Sequence, residues 1–487
     1  MSSDSRTYNR TVILVIACLA QFMVVLDNTI VNVALPSIQR GLSFSAANLQ
    51  WVVDGYTLIF GGFLMLGGRA ADLLGRRRLF IAGVILFSAA SLLNGVAQSS
   101  TMLIVGRGLQ GLGGALVSPA ALSIIMTTFE DTSERTRALG IWSAIAAGGA
   151  AFGLLLGGVL TDLVSWRWNF FVNVPVGIGA VVMALRYIPE SRAELGHRRF
   201  DAVGAVTLTA GLLAVVFSIV KAEAWGWGSG KTLGVMGAGF LLLALFVRLE
   251  SRSSAPLVKL SIFRIRSIST ANSVMLLVAS ALFGFFFFAS LYVQDILGYS
   301  PLKAGLAFLP ASFGIIVGAG IAQTVIKRVG VRNLTVIGIA LATVGMAILT
   351  QLPVHGRYFS NLFIGLVPLA VGMGLTFVPI TLLATSGVEN EDAGLASGLF
   401  NSAQQIGGSL GLAVFSTLAA EHTSSIIESA GHPLGVSAQF AARLAGYHLA
   451  FGAAAIALGA GAMLLVLLLR PRHVESVSYD VPLPVGA

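Results

Sequence analysis

Fourteen apolar runs follow one another along the chain, at about 11–35, 48–66, 79–97, 102–126, 138–161, 169–187, 203–221, 232–249, 268–292, 302–322, 334–352, 359–382, 395–419 and 446–469. They average about 21 residues, the length an α-helix needs to cross the hydrocarbon core of a bilayer. A water-soluble domain cannot bury so many apolar faces: 56% of the 487 residues are hydrophobic and only 10% are charged. The sequence therefore predicts an all-α polytopic membrane protein. The first run carries Asp27 and no small-residue cleavage site, so it reads as a first span and not as a removed signal peptide. An even number of spans puts both termini on one side.

The basic residues orient this topology. Of 30 Lys and Arg, 22 fall on the tails and the alternate loops that share their side, 7 fall on the other side, and Arg107 lies within a span. Such a bias marks the cytoplasmic side and predicts an inner-membrane protein with both termini in the cytoplasm. It also removes nucleic acid as a partner, because the net charge of +9 is spread over many short loops. The single cysteine, Cys18, excludes an intramolecular disulfide and a cysteine-based metal site. The six histidines show no metal-ligand spacing, and no phosphate-binding loop of an ATP-driven pump appears. Neither a cofactor nor a metal is expected.

Three ionisable residues sit well inside apolar spans. Measured from the outer ends of their helices at about 1.5 Å per residue, Asp27 lies about 12 Å deep, Asp54 about 9 Å and Arg107 about 8 Å. A charge at membrane depth costs at least about 2.5–3.5 kcal/mol, so such residues usually face a cavity or one another. Their similar depth lets them meet across a cavity wall, where a carboxylate exchanges a proton and competes for a cationic ligand. The alternative is a static buried ion pair plus one solvated acid near the rim. The amides Asn28, Asn32, Asn401, Gln404 and Gln405 are candidates to line the same cavity. Phe285 to Phe288 point all round their helix, so lipid or core takes most of that run.

The chain also repeats itself. Pro119 and Pro379 close Gly-rich stretches 260 residues apart. Gly75-Arg76-Arg77-Arg78-Leu79 is echoed by Gly330-Val331-Arg332-Asn333-Leu334, and Ala138-Leu139-Gly140-Ile141-Trp142 by Ala396-Ser397-Gly398-Leu399-Phe400, at offsets of 255 and 258. Matches in order at nearly one offset divide the chain into an N-terminal six-helix half (1–202), two inserted helices (203–250), a C-terminal six-helix half (251–470) and a cytoplasmic tail (471–487). Paired halves around a midplane cavity are a usual plan of secondary transporters. The position 260 residues after Arg107 is Val367, so the arginine is no general packing need of the repeat.

Two stretches imitate soluble enzymes. Gly106-Arg107-Gly108-Leu109-Gln110-Gly111 matches a dinucleotide fingerprint, and Gly407-Gly408-Ser409-Leu410-Gly411 matches a nucleophile elbow. Both need a strand–turn–helix setting and sit instead within long apolar spans, so no enzyme is expected.

The charged turn Gly67-Gly68-Arg69-Ala70-Ala71-Asp72-Leu73-Leu74-Gly75-Arg76-Arg77-Arg78 resembles the cytoplasmic loop between helices 2 and 3 of the major facilitator superfamily. In that family the loop links the state of the two halves. The resemblance makes Gly68, Asp72, Gly75, Arg76 and Arg77 a conformational-switch loop. Leu26-Asp27-Asn28-Thr29-Ile30-Val31-Asn32-Val33-Ala34-Leu35-Pro36, Trp51-Val52-Val53-Asp54-Gly55-Tyr56, Arg107-Gly108-Leu109-Gln110-Gly111 and Ser165-Trp166-Arg167-Trp168-Asn169-Phe170-Phe171-Val172-Asn173-Val174-Pro175 resemble motifs of its fourteen-helix drug:proton antiporters, which include quaternary-ammonium exporters.

That resemblance implies a major facilitator fold and a proton-coupled antiporter that exports amphipathic cationic drugs. Asp27, Asp54 and Arg107 would couple protons or bind substrate. Its partners would be the substrate, protons and the lipid bilayer, and it would work as a monomer. Two departures stand out. Gly153-Leu154-Leu155-Leu156-Gly157-Gly158 lacks the proline usual in the span 5 antiporter motif, and spans 9–14 hold no clearly buried carboxylate. A narrow exporter of one metabolite is an alternative, as is a non-transporting membrane sensor on the same fold.

Overall fold

The computed structural model describes residues 9–129, 131–191, 201–253, 256–388, 393–430 and 435–470. The expected tail 471–487 lies outside the described residues, as do residues 1–8. The long helices are α1 (Arg10–Leu42), α2 (Trp51–Leu74), α3 (Arg76–Gly95), α4 (Ser100–Thr128), α5 (Thr132–Leu163), α6 (Asn173–Tyr187), α7 (Ala202–Trp225), α8 (Gly230–Arg252), α9 (Arg266–Leu291), α10 (Pro301–Val329), α11 (Val331–Leu349), α12 (Phe363–Thr385), α13 (Ala393–Ser429) and α14 (Val436–Leu468). Among the described residues, thirteen spans are long and apolar enough to cross a membrane, and within α5 the apolar stretch is Gly148–Leu163.

Local chemistry sets the helix ends. Asn9 caps α1 through the N–H groups of Thr11 and Val12, Ser99 caps α4 through Met102, and Ser300 caps α10 through Lys303 with Pro301 following it. The turns from α2 to α3 and from α10 to α11 are single glycines, Gly75 at φ 111° and Gly330 at φ 81°. A side chain is strained at such angles, which is why the echo 255 residues apart preserves glycine while Arg76 and Arg78 give way to Val331 and Asn333. Pro119 and Pro379 likewise both lie inside helices, α4 and α12.

One expectation about loops is corrected. The spacing of the apolar runs makes 420–445 an outer connection, yet α13 continues to Ser429 and α14 begins at Val436. No Gly or Pro occurs between Leu412 and Ala430 to stop the helix. At 37 residues α13 is roughly 55 Å long, well beyond a hydrocarbon core of about 30 Å.

Helices α1 to α6 pack as one half and α9 to α14 as the other. The inserted helices α7 and α8 pack on each other, and α7 also touches α2 and α13, one from each half. The halves meet chiefly through α5 with α10, α2 with α13, and α1 with α9. Toward the end opposite the termini the approach is backbone to backbone. A Cβ on Gly158 of α5 would stand 2.7 Å from the carbonyl of Pro301, and one on Gly305 of α10 would stand 2.5 Å from the carbonyl of Leu154.

Candidate functional site

Five helices of the N-terminal half converge on one buried polar network. Asp27 projects from α1 and Arg107 from α4, with 0% and 1% of their surface exposed. Arg107 donates through Nη1 to Asp27 Oδ2 at 2.5 Å and to Gln110 Oε1 at 2.7 Å, and through Nε to the carbonyl of Val52 at 2.8 Å. Gln110, one turn along α4, also donates to Asp27 Oδ1 at 2.7 Å and to Ser91 Oγ at 2.5 Å, and accepts from Asn94 Nδ2 at 2.8 Å. Asn173, at the start of α6, donates to Asp27 Oδ1 at 3.0 Å and to Ser91 Oγ at 3.2 Å. The guanidinium carbon of Arg107 stands 4.5 Å from the centroid of the Tyr56 ring, close enough for cation–π attraction.

The geometry depends on how closely α2 and α4 approach. A Cβ on Gly111 would run into the carbonyl of Tyr56, so only glycine lets Arg107 reach the Val52 carbonyl one turn earlier. The result is a desolvated ion pair in which both Asp27 oxygens and the Nε and Nη1 donors of Arg107 are hydrogen-bonded. That is the condition under which a buried pair is tolerated. The C-terminal half has no counterpart at the matching positions: Val367 stands for Arg107, and Phe285, Phe287 and Phe288 are buried in the core around α9. Phe286 alone of the four keeps part of its surface.

Asp54 does not join this network. It is wholly buried on α2, facing the seam with α13, and neither carboxylate oxygen has a hydrogen-bond partner. The hydroxyl that approaches it, Ser409 Oγ, is paired with Thr57 Oγ1. The antiparallel register that sets Thr57 against Ser409 and Gly61 against Gln405 also brings Gln50 level with Ser416. Gln50 is itself fully buried with neither polar atom bonded, and Ser416 Oγ is unpartnered too. The acid is therefore not a solvated group at a rim.

Four of the five candidate amides lie on two helix faces. Gln21, Asn28 and Asn32 follow one stripe of α1, and Asn401 and Gln404 follow one stripe of α13 that continues to Gly408. The α13 stripe becomes more exposed toward the terminal end: Gly408 is covered by Phe283, Gln404 is half-buried and Asn401 is exposed. Gln21, Asn28 and Asn32 on α1 are all half-buried, with Gln21 accepting from Ser118 Oγ at 3.0 Å and the Asn32 carbonyl bonded by Ser290 of α9. Gln405 points elsewhere, packing its Cβ against Gly61 in the α2–α13 seam.

In the charged turn, Asp72 accepts from Arg76 Nη2 at 2.8 Å, and Arg76 Nε donates to Ser123 Oγ on α4 at 2.6 Å. Arg77 donates to the Ile188 carbonyl beyond α6 at 3.3 Å. Gly68 packs against Pro119 and Gly75 against Glu190. These bonds tie the turn to its own half. Arg69 reaches the chain beyond the inserted helices, donating to the Pro256 carbonyl at 2.7 Å.

Ser91, Asn94, Gln110 and Asn173 complete the network, and none of them stands among the candidates drawn from the sequence. Gln110 was legible in principle, since it lies three residues after Arg107 on the same helix face. Ser91 and Asn94 carry no signal that separates them from any polar residue in a span.

The sequence profile described as the Major Facilitator Superfamily matches residues 17–412. The chain is 39% identical to the puromycin resistance protein pur8 of Streptomyces alboniger, over 94% of this chain and 90% of that one. It is 39% identical to the cephamycin export protein CmcT of Amycolatopsis lactamdurans, over 88% and 89%. Among solved structures, a bacterial homologue of the human lysosomal transporter Spinster, in an inward-facing and unoccupied conformation, superposes with a TM-score of 0.68 at 16% identity, covering 97% of this chain and 98% of that one.

Proposed function

The chain belongs to the Major Facilitator Superfamily as an efflux transporter and not an enzyme, and we propose that it exports amphipathic cationic compounds from the cytoplasm in exchange for protons. The observation that carries the coupling is Asp54. An ionised carboxylate, wholly buried with neither a hydrogen bond nor a cation, would cost several kcal/mol, about the penalty for an uncompensated buried charge. The neutral acid is the form that fits the closed α2–α13 seam. In this reading the halves return to the cytoplasm-facing state with a proton on Asp54. Losing that proton loosens the seam as substrate enters.

The substrate path is the polar stripes. On this reading Asn28 on α1 and Asn401 and Gln404 on α13, each at least partly exposed, line a cleft that opens toward the end bearing the termini, the cytoplasmic end by the distribution of Lys and Arg. Asp27 and Arg107 stand behind this surface and act on the position of α1 against α4. The turn around Asp72 and Arg76 keeps α2, α3 and α4 moving as one body in the inner membrane. The six-helix halves move against each other about the contacts of α5 with α10.

A second reading is export of one compound only. It is favoured by the relatives, pur8 and CmcT, each named for a single antibiotic.

Reconstitution in liposomes with an imposed pH gradient tests both. Gradient-driven uptake of a fluorescent lipophilic cation by wild type, abolished in Asp54→Asn, is expected. Equal transport with and without the gradient would refute proton coupling. Gradient-driven transport of a single antibiotic from a panel, with none of the cation, would select the second reading.

A further inference from the structure

Pro36 lies inside α1, one turn beyond Asn32. Proline has no N–H, so the Asn32 carbonyl loses the donor that residue i+4 supplies in a regular helix. That carbonyl is nevertheless filled. Ser290 Oγ, from α9 in the other half, donates to it at 2.7 Å. The next carbonyl, of Val33, accepts from Gln294 Nε2 at 2.8 Å, and the same nitrogen lies 3.1 Å from Ser290 Oγ. Gln294 sits in a π-helical turn, Tyr292–Ile296, that follows α9. Such a turn changes the direction of side chains at its position and is frequent at working sites. Ser290 and Gln294 are 0% and 6% exposed, and Phe286, one turn before Ser290 on the same face, is half-buried. The two bonds therefore join α1 to the end of α9 across the seam between the halves.

We infer that Pro36, Ser290 and Gln294 form a latch that holds the end opposite the termini shut, with Pro36 as its positioning residue. By removing a donor from its own helix, Pro36 leaves a part-buried carbonyl that Ser290 fills from the other half. When this end parts, water replaces Ser290 on the Asn32 carbonyl, and the bond becomes free to break and re-form in each cycle. A helix with an N–H at position 36 would satisfy the carbonyl in both states and would give Ser290 no grip. The inference rests on the reading that this end opens during transport.

Pulsed electron resonance between spin labels on Ser43→Cys and Lys303→Cys, both exposed and on opposite halves near the latch, tests it in a Cys18→Ser background in nanodiscs. Ser290→Ala should raise the ratio of long to short distances roughly fivefold to a hundredfold, as expected for leaving that carbonyl unpaired. Ser290→Thr should keep the wild-type ratio. Adding Pro36→Ala to Ser290→Ala should bring the ratio back toward the wild-type value, because the backbone N–H regained at position 36 fills the carbonyl in both states. No change in Ser290→Ala, or an equal rise in the double variant, would overturn the latch. The measurement uses neither substrate nor a pH gradient, so its failure would leave the export reading standing, and a failure of transport would leave these distances unaltered.

Discussion

The guanidinium of Arg107 meets the carboxylate of Asp27 at 2.5 Å, with neither residue more than 1% exposed. Their helices belong to the same half, so the pair does not bridge the bodies that move. It sets how α1 sits on α4, and α1 carries both the polar stripe of the cleft and the carbonyls that α9 grips.

Arg107→Ala should abolish efflux and destabilise the protein by about 3–5 kcal/mol, the usual cost of stranding one member of a buried pair. Arg107→Lys should rescue little, because an ammonium cannot bond Asp27, Gln110 and the Val52 carbonyl in one plane. Thermal unfolding in detergent, read beside accumulation of a fluorescent cation in cells, checks both.

Gln110→Leu should be nearly as damaging as the loss of the charge. It strands Asn94 Nδ2 and removes donors to Asp27 and Ser91, at about 1–3 kcal/mol for each group left unpaired. Gln110→Glu should be worse than Gln110→Leu in the same unfolding assay, since it places a second acid 2.7 Å from Asp27 Oδ1. A ranking in the opposite order would show that the amide is not the centre of the network.

Asp54→Asn should fold with close to wild-type stability, because the amide is neutral like the protonated acid that fits the seam. Its transport should lose dependence on the pH gradient while substrate still binds. Substrate binding followed by tryptophan fluorescence, against gradient-driven uptake in liposomes, separates the two effects.

Asn401→Ala and Asn28→Ala should raise KM severalfold with kcat and fold stability little changed, since both side chains are at least partly uncovered on the stripes. Gln405→Ala should behave differently: it lies off the stripe and keeps the Cβ that packs on Gly61, so KM should stay at the wild-type value. Dose–response curves of uptake for the three variants decide this.

Gly158→Val should bias the protein away from closure at the end opposite the termini. Its new side chain would meet the Pro301 carbonyl 2.7 Å from Cβ, where the backbone cannot give way cheaply. The spin-label pair at Ser43 and Lys303 should report the longer distance in this variant.

Much of the Asp27–Arg107 site was legible before any coordinates. An acid and a base at similar depth in an apolar medium have strong reason to find each other, and depth follows from counting residues along a helix. Asp54 misled that argument because depth is only one of three coordinates. It shares the height of Asp27 and Arg107 but points round α2 toward α13. Gln404 and Gln405 divide in the same way: adjacent in sequence and alike in chemistry, they lie about 100° apart around α13, one on the cleft stripe and one in the seam.

The sequence by itself determined the succession of apolar helices, the bias of basic residues to alternate loops, the internal echo and the family. Each is fixed by hydropathy, charge or motif within a single segment, and the bilayer leaves a helix little freedom to do otherwise. The tertiary structure decided which polar groups share a neighbour. Gln110 and Asn173 became the partners of Asp27, and Ser290 the partner of a carbonyl that Pro36 had left empty. Those relations depend on rotation and register between helices far apart in the chain. Glycines such as Gly111 and Gly158 set them by permitting backbone contact at one place and no other.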